Sequence, residues 1–506
     1  MRRIFTTIIV LAATTIAVQA AKPRSSLTVS STRKQTVSGF GGACCDGAMK
    51  PFGTDNGCVS KLYGPKSKIG LNILRMEISP SFTGDNWGDY DWNGSLPSAK
   101  TVKKRGGIVF GTPWSPPGEY KTNGTAQGGN SDDQGNVRGK LREDCYEKFF
   151  PWLNTFLKWM KDHDVVMDAV SIQNEPDWWV SYSGCLYDPQ DLVKLVKNYA
   201  YMLDRETYDG VRLISAEPLG FTKEYTDPLM QDETCRGQVD IVAGHLYGHL
   251  PLQYMKAAGV LPLKYGKELW MTEHSVTDNT GALPTWDDNL IFAEELNECM
   301  LAGCTGYIYW YLRAHWAFAG TGESQYGAAN KKDELLPRAF VMSHFSKNVT
   351  GSTRLATSLD ESQGRTNEGT PANYEFSAYV KGDSLIVMAI NTTANPRDLK
   401  INLPNKVKSG TLWLSTGNES ANLCQQSALD IPESTDEFLV TMPARSLSTY
   451  IYMVDKGDTA IENVEQTASD GPKTYYDLHG RRLDTPRGLC IERSADGSAR
   501  KINMGR

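Results

Sequence analysis

The segment DAVSIQNEP (168–176) is a short apolar run that ends abruptly in Asn174, Glu175 and Pro176. Proline has no backbone N–H, so it ends a central strand sharply, and this run predicts a buried strand with a carboxylate at its carboxyl end. Helical patterns flank it, YEKFFPWLNTFLKWMKD (146–162) before and DPQDLVKLVKNYAYMLD (188–204) after. Together the three segments predict a strand that is covered by helices.

The same alternation repeats between residues 39 and 347. Seven further apolar runs occur there: GFGGACC (39–45), ILRMEIS (73–79), IVFGTPW (108–114), VRLISAEP (211–218), VDIVAGHLYG (239–248), ELWMTEH (268–274) and GYIYWYL (306–312). Near-continuous apolar strands are typical of parallel sheets buried on both faces, and eight such repeats predict a closed (β/α)8 TIM barrel. The alternative, a doubly wound open sheet, requires a glycine-rich phosphate-binding turn, and no G-x-G-x-x-G follows any of these runs.

A second pattern begins after the barrel. Residues 348–455 alternate apolar and polar side chains with period two, as in YEFSAYVK (374–381) and SLIVMAI (384–390), and predict an attached antiparallel β-sandwich. Residues 21–38 read as a strand that pairs with this domain. A polar stretch over 456–472 predicts a linker, and 473–506 forms a compact C-terminal segment that resembles the sorting tails of secreted Bacteroidetes proteins.

The amino end predicts export. Arg2 and Arg3 precede an apolar run that ends at Val18, and Val18-Gln19-Ala20 is a small-residue cleavage site, so residues 1–20 are interpreted as a signal peptide. A membrane anchor is the alternative, but the run is short and threonines interrupt it, and no later stretch is long enough for a span. We therefore expect a secreted protein, located outside the cell, at its surface or in the periplasm.

The amino-acid composition limits which kinds of ligand and partner we expect for this chain. The 506 residues contain 53 basic and 59 acidic side chains, a net charge of −6, and this balance excludes the basic groove expected of a nucleic-acid-binding protein. Ten cysteines are too few for a disulfide scaffold of this length, and none has C-x-x-C spacing. We expect no metal site, no cofactor and a monomeric chain.

Four predicted strands end in a carboxylate, namely Glu77, Glu175, Glu217 and Glu273. Catalytic groups of (β/α)8 barrels come from the carboxyl ends of strands, and glycosidic cleavage requires one protonated and one ionised carboxyl group facing each other. Glu175 and Glu273 are the candidate pair. The alternative for any single glutamate is a solvated side chain or a structural ion pair.

The surroundings of these two residues favour the catalytic interpretation. Asn174 directly precedes Glu175 and is placed to bind a sugar hydroxyl, and Arg75 on the second strand is placed to keep Glu273 ionised. The alternative for Arg75 is an ordinary ion pair at the floor of the barrel. Three aromatic side chains at strand ends complete the expected substrate contacts: Trp114, Tyr247 and Trp310. Motifs of other hydrolases and nucleotide-binding proteins, G-x-S-x-G, Walker A and H-E-x-x-H, do not occur.

At these residues the chain resembles glycoside hydrolase family 30, and in particular its bacterial glucuronoxylanase branch. The motifs, which follow in the family's order, are SGFGG (38–42), ILRMEISP (73–80), TPWSPPGEYKTNG (112–124), SIQNEPDW (171–178), ISAEPLGF (214–221), DIVAGHLYG (240–248), ELWMTEH (268–274), YIYWYLR (307–313) and MSHFSKNV (342–349). The resemblance implies a (β/α)8 barrel with a β-sandwich, a retaining mechanism, Glu175 as acid/base and Glu273 as nucleophile.

The resemblance also implies a secreted endo-β-1,4-xylanase whose partner is the polysaccharide xylan. The glucuronoxylanase branch reads W-Y-I-R-R-S-Y after the eighth strand, and its second arginine grips a glucuronate side group. Here that position is Ala314, and Ser275 stands where the branch has tyrosine. We therefore predict no strict dependence on glucuronate. The alternatives are a β-1,6-glucanase, a galactanase or an exo-acting xylosidase of the same family, and a catalytically silent carbohydrate-binding protein.

Overall fold

The computed structural model describes residues 24–44, 56–81, 92–128, 139–247, 252–276, 283–314, 316–320, 333–359 and 374–455, together with 474–476, 482–483, 488–493 and 499–504. The chain divides into two units, one ending at Val454 and one beginning at Asp455. The predicted signal peptide (1–20) and linker (456–472) lie outside the described residues.

Eight parallel strands close into a barrel. They are β2 (Gly39–Cys44), β3 (Ile73–Ile78), β4 (Ile108–Pro113), β5 (Ala169–Ser171), β6 (Arg212–Ala216), β7 (Ile241–His245), β8 (Glu268–Glu273) and β9 (Gly306–Tyr309). All eight predicted runs therefore contain a barrel strand, and β2 pairs with both β3 and β9 to complete the ring. The predicted (β/α)8 architecture is confirmed.

Helices cover the outside of the barrel. They are α1 (Asn56–Leu62), α2 (Leu96–Lys104), α3 (Tyr146–Asp162), α4 (Pro189–Tyr199), α5 (Lys223–Gln231), α6 (Glu233–Gln238), α7 (Leu252–Lys264), α8 (Trp286–Ala302) and α9 (Pro337–Asn348). The long α8 begins at a capping box of Thr285 and Asp288 and ends at Gly303, whose φ of 105° requires glycine. Both ends of this helix follow from its sequence.

Two apolar layers stabilise the barrel. The interior is filled by inward-facing residues of the strands, and the layer between strands and helices forms the larger core. The interior set consists of Ile73, Phe110, Ala169, Ile214, Ile241, Ala243, Trp270 and Ile308. Because these side chains fill the barrel, the polar groups at the carboxyl ends of the strands are separated from those at the amino ends.

The second domain is one predominantly antiparallel sheet whose first strand comes from the start of the chain. Its strands are β1 (Arg24–Thr36), β10 (Thr353–Leu359), β11 (Tyr374–Lys381), β12 (Ser384–Asn391), β13 (Arg397–Ser415), β14 (Gln425–Ala428), β15 (Thr435–Met442) and β16 (Ser446–Val454). The strand β1 pairs antiparallel with β10 and parallel with β13, so the sheet curls around its own apolar core. The strand β1 lies within residues 21–38, the segment in which the sequence predicts an N-terminal strand.

Buried polar contacts join the barrel to this sheet. His344 of α9 lies between Thr449 of β16, at 2.8 Å, and Ser415 of β13, at 2.9 Å. Asn297 of α8 donates a hydrogen bond of 3.0 Å to Glu375 of β11. The contacts are completely or almost completely buried, which fixes the sheet against α8 and α9.

The smaller unit contains four short antiparallel strands in the order β18–β17–β19–β20. They are β17 (Thr474–Tyr476), β18 (Arg482–Leu483), β19 (Gly488–Arg493) and β20 (Ala499–Met504). Its assignment as a sorting tail stays a prediction. Among the described residues, no helix is long and apolar enough to cross a membrane. The described thiols of Cys58, Cys145, Cys185, Cys235, Cys299, Cys304 and Cys424 form no disulfide bond.

Candidate active site

The carboxyl ends of the barrel strands bring distant side chains together because alternate residues of each strand point inward. On β3, Ile73 belongs to the barrel interior and Arg75 follows two residues later on the same face. On β9, Ile308 belongs to the interior and Trp310 follows it in the same way. Period two therefore places a charged or aromatic layer directly above the apolar one.

Arg75 is the centre of this layer and is completely buried. Its Nη1 donates to Glu273 Oε2 at 2.5 Å, and its Nη2 donates to Asn174 Oδ1 at 2.7 Å. Its Nε lies 3.6 Å from Glu217 Oε1, an ion pair longer than a hydrogen bond. The ring of Trp114 covers the guanidinium at 4.7 Å. Arg75 and Glu273 are thus in contact near the carboxyl ends of the strands, and the catalytic role of this ion pair stays a prediction.

Glu273, at the end of β8, is held on both carboxylate oxygens. Arg75 contacts Oε2, and the hydroxyl of Tyr247 donates to Oε1 at 2.7 Å. Burial raises the pKa of the Glu273 carboxyl, whereas the positive charge of Arg75 and the Tyr247 hydrogen bond both lower it. These partners favour the ionised form, which is the form that a nucleophilic carboxylate needs.

Glu175 has a different environment. It follows β5 with a left-handed backbone, φ 47°, and its N–H donates to the Glu217 carbonyl at 3.0 Å. Burial, opposed by Arg75 and assisted by the nearby carboxylates of Asp177 and Glu217, raises the pKa of Glu175 to about 8. The Glu175 side chain is thus protonated at neutral pH. Two carboxyl groups with different protonation preferences face one cleft, which is the condition for acid-assisted cleavage.

His245 at the end of β7 orients the Glu175 carboxyl. Its Nδ1 lies 2.9 Å from Glu175 Oε1, and its Nε2 lies 3.5 Å from Arg75 Nη2. Burial lowers the pKa of His245, and Arg75 lowers it further, so the ring is neutral. A guanidinium N–H only donates, so Nε2 accepts and Nδ1 donates to Glu175 Oε1. Glu175 Oε2 is then the oxygen that carries the acidic proton.

The carboxylate spacing distinguishes the two stereochemical classes of glycoside hydrolysis. An oxygen of Glu175, an oxygen of Glu273 and a ring nitrogen of His245 all lie within 4.8 Å of one another. Retaining enzymes hold the two carboxyl groups about 5–5.5 Å apart, whereas inverting enzymes need about 6.5–9.5 Å for a water molecule. The short separation fits direct attack. The same three groups are close enough for a cation, but the Arg75 guanidinium already contacts Glu273; the absence of a metal stays a prediction.

Aromatic rings form one wall of the site. Trp114 follows β4 and stacks on Trp310 with a centroid separation of 5.9 Å and an angle of 30°. Gln173 fixes the loop below them by donating to the Trp114 carbonyl at 2.6 Å. Such stacked indoles offer an apolar face to the C–H side of a sugar ring.

The structure brings together all seven residues predicted for the site: Arg75, Trp114, Asn174, Glu175, Tyr247, Glu273 and Trp310. Sequence reasoning missed His245 and did not pair Glu217 with Arg75. For His245 a signal existed: it lies two residues after Ala243, which faces the barrel interior. The roles and substrate contacts of these residues remain proposals.

The segment after β9 bears on side-group recognition. Arg313 is almost completely buried and forms an ion pair with Asp333, and the neighbouring Ala314 is 3% exposed. The Asp333 carbonyl also accepts a hydrogen bond from Lys61 of α1, at 3.1 Å. Arg313 is therefore directed toward Asp333 and α1.

Comparisons with known proteins agree with this geometry. The family model of the glycosyl hydrolase catalytic core matches residues 146–300. The chain is 26% identical over 436 residues to the glucuronoxylanase XynC of Bacillus subtilis (strain 168), covering 83% of this chain and 90% of that protein.

Two solved structures are also similar. A glycoside hydrolase family 30 subfamily 8 xylanase from Clostridium acetobutylicum is 30% identical, with a TM-score of 0.68 over 85% of this chain and 100% of that one. A family 30 endoxylanase from Clostridium papyrosolvens is 27% identical, with a TM-score of 0.67 over the same shares. The paired carboxyl groups, the closed barrel with its attached sheet, and these similarities together show that the chain is a glycoside hydrolase and belongs to glycoside hydrolase family 30.

Proposed function

We propose that this protein is a secreted, retaining endo-β-1,4-xylanase that hydrolyses the xylan backbone without strict dependence on glucuronate side groups. The observation that carries the proposal is the unequal pair of carboxyl groups. Glu175 is a buried acid with a pKa of about 8, and Glu273, within 4.8 Å, is held by Arg75 and Tyr247.

In the first step Glu273 attacks the anomeric carbon from the side opposite the leaving group. Glu175 donates its proton to the glycosidic oxygen, so the carbon–oxygen bond breaks as the bond to Glu273 forms. As negative charge leaves Glu273, Arg75 retains its contacts with Asn174 and Glu217, so its position does not depend on the nucleophile alone.

In the second step Glu175, now ionised, accepts a proton from water, and the resulting hydroxide displaces Glu273 from the sugar. His245 donates to Glu175 Oε1 throughout, which keeps Oε2 pointing to the reacting oxygen. Two displacements at one carbon return the original β configuration.

Xylan is the proposed substrate because of the residues that surround the pair. The motif TPWSPPGEYKTNG supplies Trp114, and HLYG supplies Tyr247. The similar proteins from Bacillus and Clostridium are named a glucuronoxylanase and xylanases, which supports the same polymer here. The amino-terminal segment with Arg2, Arg3 and its apolar run supports secretion.

Independence of glucuronate rests on the segment after β9. Ala314 has no group that binds a carboxylate, and the adjacent Arg313 is committed to Asp333. A bidentate guanidinium–carboxylate contact contributes roughly 1.5–3 kcal/mol, about ten- to a hundredfold in rate. We therefore expect kcat/KM on glucuronoxylan and on enzymatically deglucuronidated xylan to differ by no more than about tenfold. A preference above a hundredfold would contradict this part of the proposal.

The roles are tested with the pair Glu175→Ala and Glu273→Ala and a xylobioside that carries an activated aryl leaving group. Glu175→Ala should retain formation of the glycosyl-enzyme with this substrate, because a good leaving group needs little protonation. With azide, it should give a β-glycosyl azide, and Glu273→Ala should give an α-glycosyl azide. The reversed pattern of products would overturn the assignment.

The substrate is tested by measuring reducing ends released from a panel of purified polysaccharides. Activity on xylan with internal cleavage supports the proposal. Cleavage of β-1,6-glucan or galactan in its place, release of single xylose units from chain ends, or binding without cleavage would each replace it by the corresponding alternative.

A further inference from the structure

Two exposed aromatic side chains lie on the loop that leaves Glu175. Trp178 is 52% exposed and Tyr182 is 43% exposed, although most large rings near the site are buried. The N–H of Trp178 donates to the Glu175 carbonyl at 3.0 Å, so the loop turns immediately after the acid. Exposed rings this close to a catalytic acid can stack on a sugar.

The neighbouring loop, which carries Trp114, fixes the position of Tyr182. The Tyr182 carbonyl accepts from Gly128 N at 2.8 Å, and Gly184 N donates to the Ala126 carbonyl at 3.2 Å. An isolated antiparallel bridge between Gln127 and Ser183 lies between these bonds. The two loops therefore form a short two-stranded ladder beside the cleft.

Lys121 holds this ladder together from beneath. Its side chain is 2% exposed, and its Nζ donates to three backbone carbonyls: Ala126 and Gln127, both at 2.9 Å, and Gly184, at 2.6 Å. Two acceptors belong to one loop and the third to the other. Burial lowers the pKa of this ammonium to about 8. Its hydrogen bonds to the three carbonyls offset part of the free-energy cost of burying the charge.

The Tyr182 side chain lies within electrostatic range of Glu175 and Glu273. Burial raises the pKa of Tyr182, and the charges of Glu175 and Glu273 raise it further, Glu175 more strongly than Glu273. Trp114 and Trp310 stack against the Arg75 side of the site, whereas Tyr182 belongs to the loop of the acid. The acid protonates the bond to the leaving group, so its loop borders the sugar that departs.

We propose that Tyr182, with Trp178 beside it, forms the binding platform for the leaving-group sugar, and that Lys121 is a positioning residue that holds Tyr182 in place. This inference rests on the proposed function, because it assigns the part of the xylan chain that leaves in the first step. The site takes a β-linked pentose unit through the apolar face of its ring.

Transfer of the glycosyl group to an added sugar tests binding at this platform separately from the bond-breaking steps. The acceptor hydroxyl attacks the anomeric carbon, Glu175 takes its proton, and the bond between that carbon and Glu273 breaks. The acceptor must occupy the place of the departed sugar, whereas hydrolysis of the same intermediate needs only water. The ratio of transfer to hydrolysis therefore reports the platform.

The experiment uses an aryl β-xylobioside as donor and xylobiose as acceptor. Tyr182→Ala should lower the transfer-to-hydrolysis ratio about two- to tenfold, the range of one aromatic contact. Tyr201→Ala is the matched control, because Tyr201 is 71% exposed and lies on the short helix at 200–202, and it should keep the wild-type ratio.

Lys121→Met should lower the same ratio, and Lys121→Arg should restore part of it. In the double variant with Tyr182→Ala, Lys121→Met should add little, since both changes remove one platform. An unchanged ratio in Tyr182→Ala would overturn the inference whether or not the lysine variant folds. Absence of donor cleavage by the wild-type protein would overturn the proposed function, a separate result.

Discussion

Replacing Arg75 by methionine should shift the whole pH profile of kcat/KM toward higher pH. The guanidinium lowers the pKa of Glu273, which it contacts at 2.5 Å, and it also lowers the pKa of Glu175. Methionine fills similar space without charge. Both carboxyl groups should therefore bind their protons more tightly in the variant.

The size of the shift follows from the contact. An opposite charge within about 4–6 Å typically lowers a carboxyl pKa by about 1–3 units. On the acid side of the profile, where Glu273 must ionise, the variant should lose about ten- to a thousandfold in kcat/KM at 1.36 kcal/mol per decade. Removing one partner of a buried ion pair also costs about 3–5 kcal/mol of stability, so the unfolding midpoint should fall.

The assay is kcat/KM on an aryl xylobioside, measured from pH 4 to 10 at a temperature at which the variant is folded. Arg75→Lys is the control, because it keeps the charge and loses the two-pronged contact with Glu273 and Asn174. Its limbs should move less than those of Arg75→Met. A folded Arg75→Met protein whose acid limb stays at the wild-type pH would refute the argument that this charge keeps the nucleophile ionised.

Three further outcomes are expected. The alkaline limb of the wild-type profile should lie near pH 8, the pKa of Glu175, and Asp177→Asn should move it to lower pH because Asp177 raises that pKa; an unmoved limb counts against Glu175 as the acid. Burial raises the pKa of Glu294 to about 8, so its contribution to stability is present below its unfolded value, near 4.5, and is lost as pH rises through 8. Glu294→Gln should therefore raise the free energy of unfolding at pH 9 and change it little at pH 4, which denaturant titrations at both pH values would test. Proton NMR of the first product should show the β anomer, and an initial α anomer would contradict attack by Glu273.

The sequence predicts most of the fold because its periodicities are strong. The strands β11 and β12 coincide with the predicted alternating segments 374–381 and 384–390, with Lys381 opposite Ser384, and α3 covers the predicted helical residues 146–162. The strands are shorter than the predicted runs, most clearly in 168–176, where β5 ends at Ser171. Beyond it, Asn174 N bonds the Pro113 carbonyl and Glu175 takes a left-handed backbone, so the residues of the acid leave the ladder. The apolar composition of the run 168–176 does not show where its residues leave the sheet.

The candidate site likewise contains residues that the sequence predicts and contacts that only the fold determines. Glu175 and Glu273 follow from their places at the ends of apolar runs, and Arg75 follows from its charge within the apolar run 73–79. The position of Glu273 opposite His245 depends on a register shift between β7 and β8 after Gly244, which no local pattern encodes. The platform at Tyr182 depends on Lys121, 61 positions earlier in the chain, and only the folded loops bring its ammonium to the Gly184 carbonyl.

The pairing of β1 with β10 and β13 sets an order of assembly. Asn402 donates to the Leu27 carbonyl across a separation of 375 residues. A chain that emerges amino end first must keep its initial strand unpaired until nearly everything else has been synthesised, and the barrel between them can form in the meantime. Contacts between residues so far apart in the chain slow folding, because the entropy of loop closure is lost before the contacts stabilise the structure. Until β1 pairs with them, β10 and β13 present open edges to other chains.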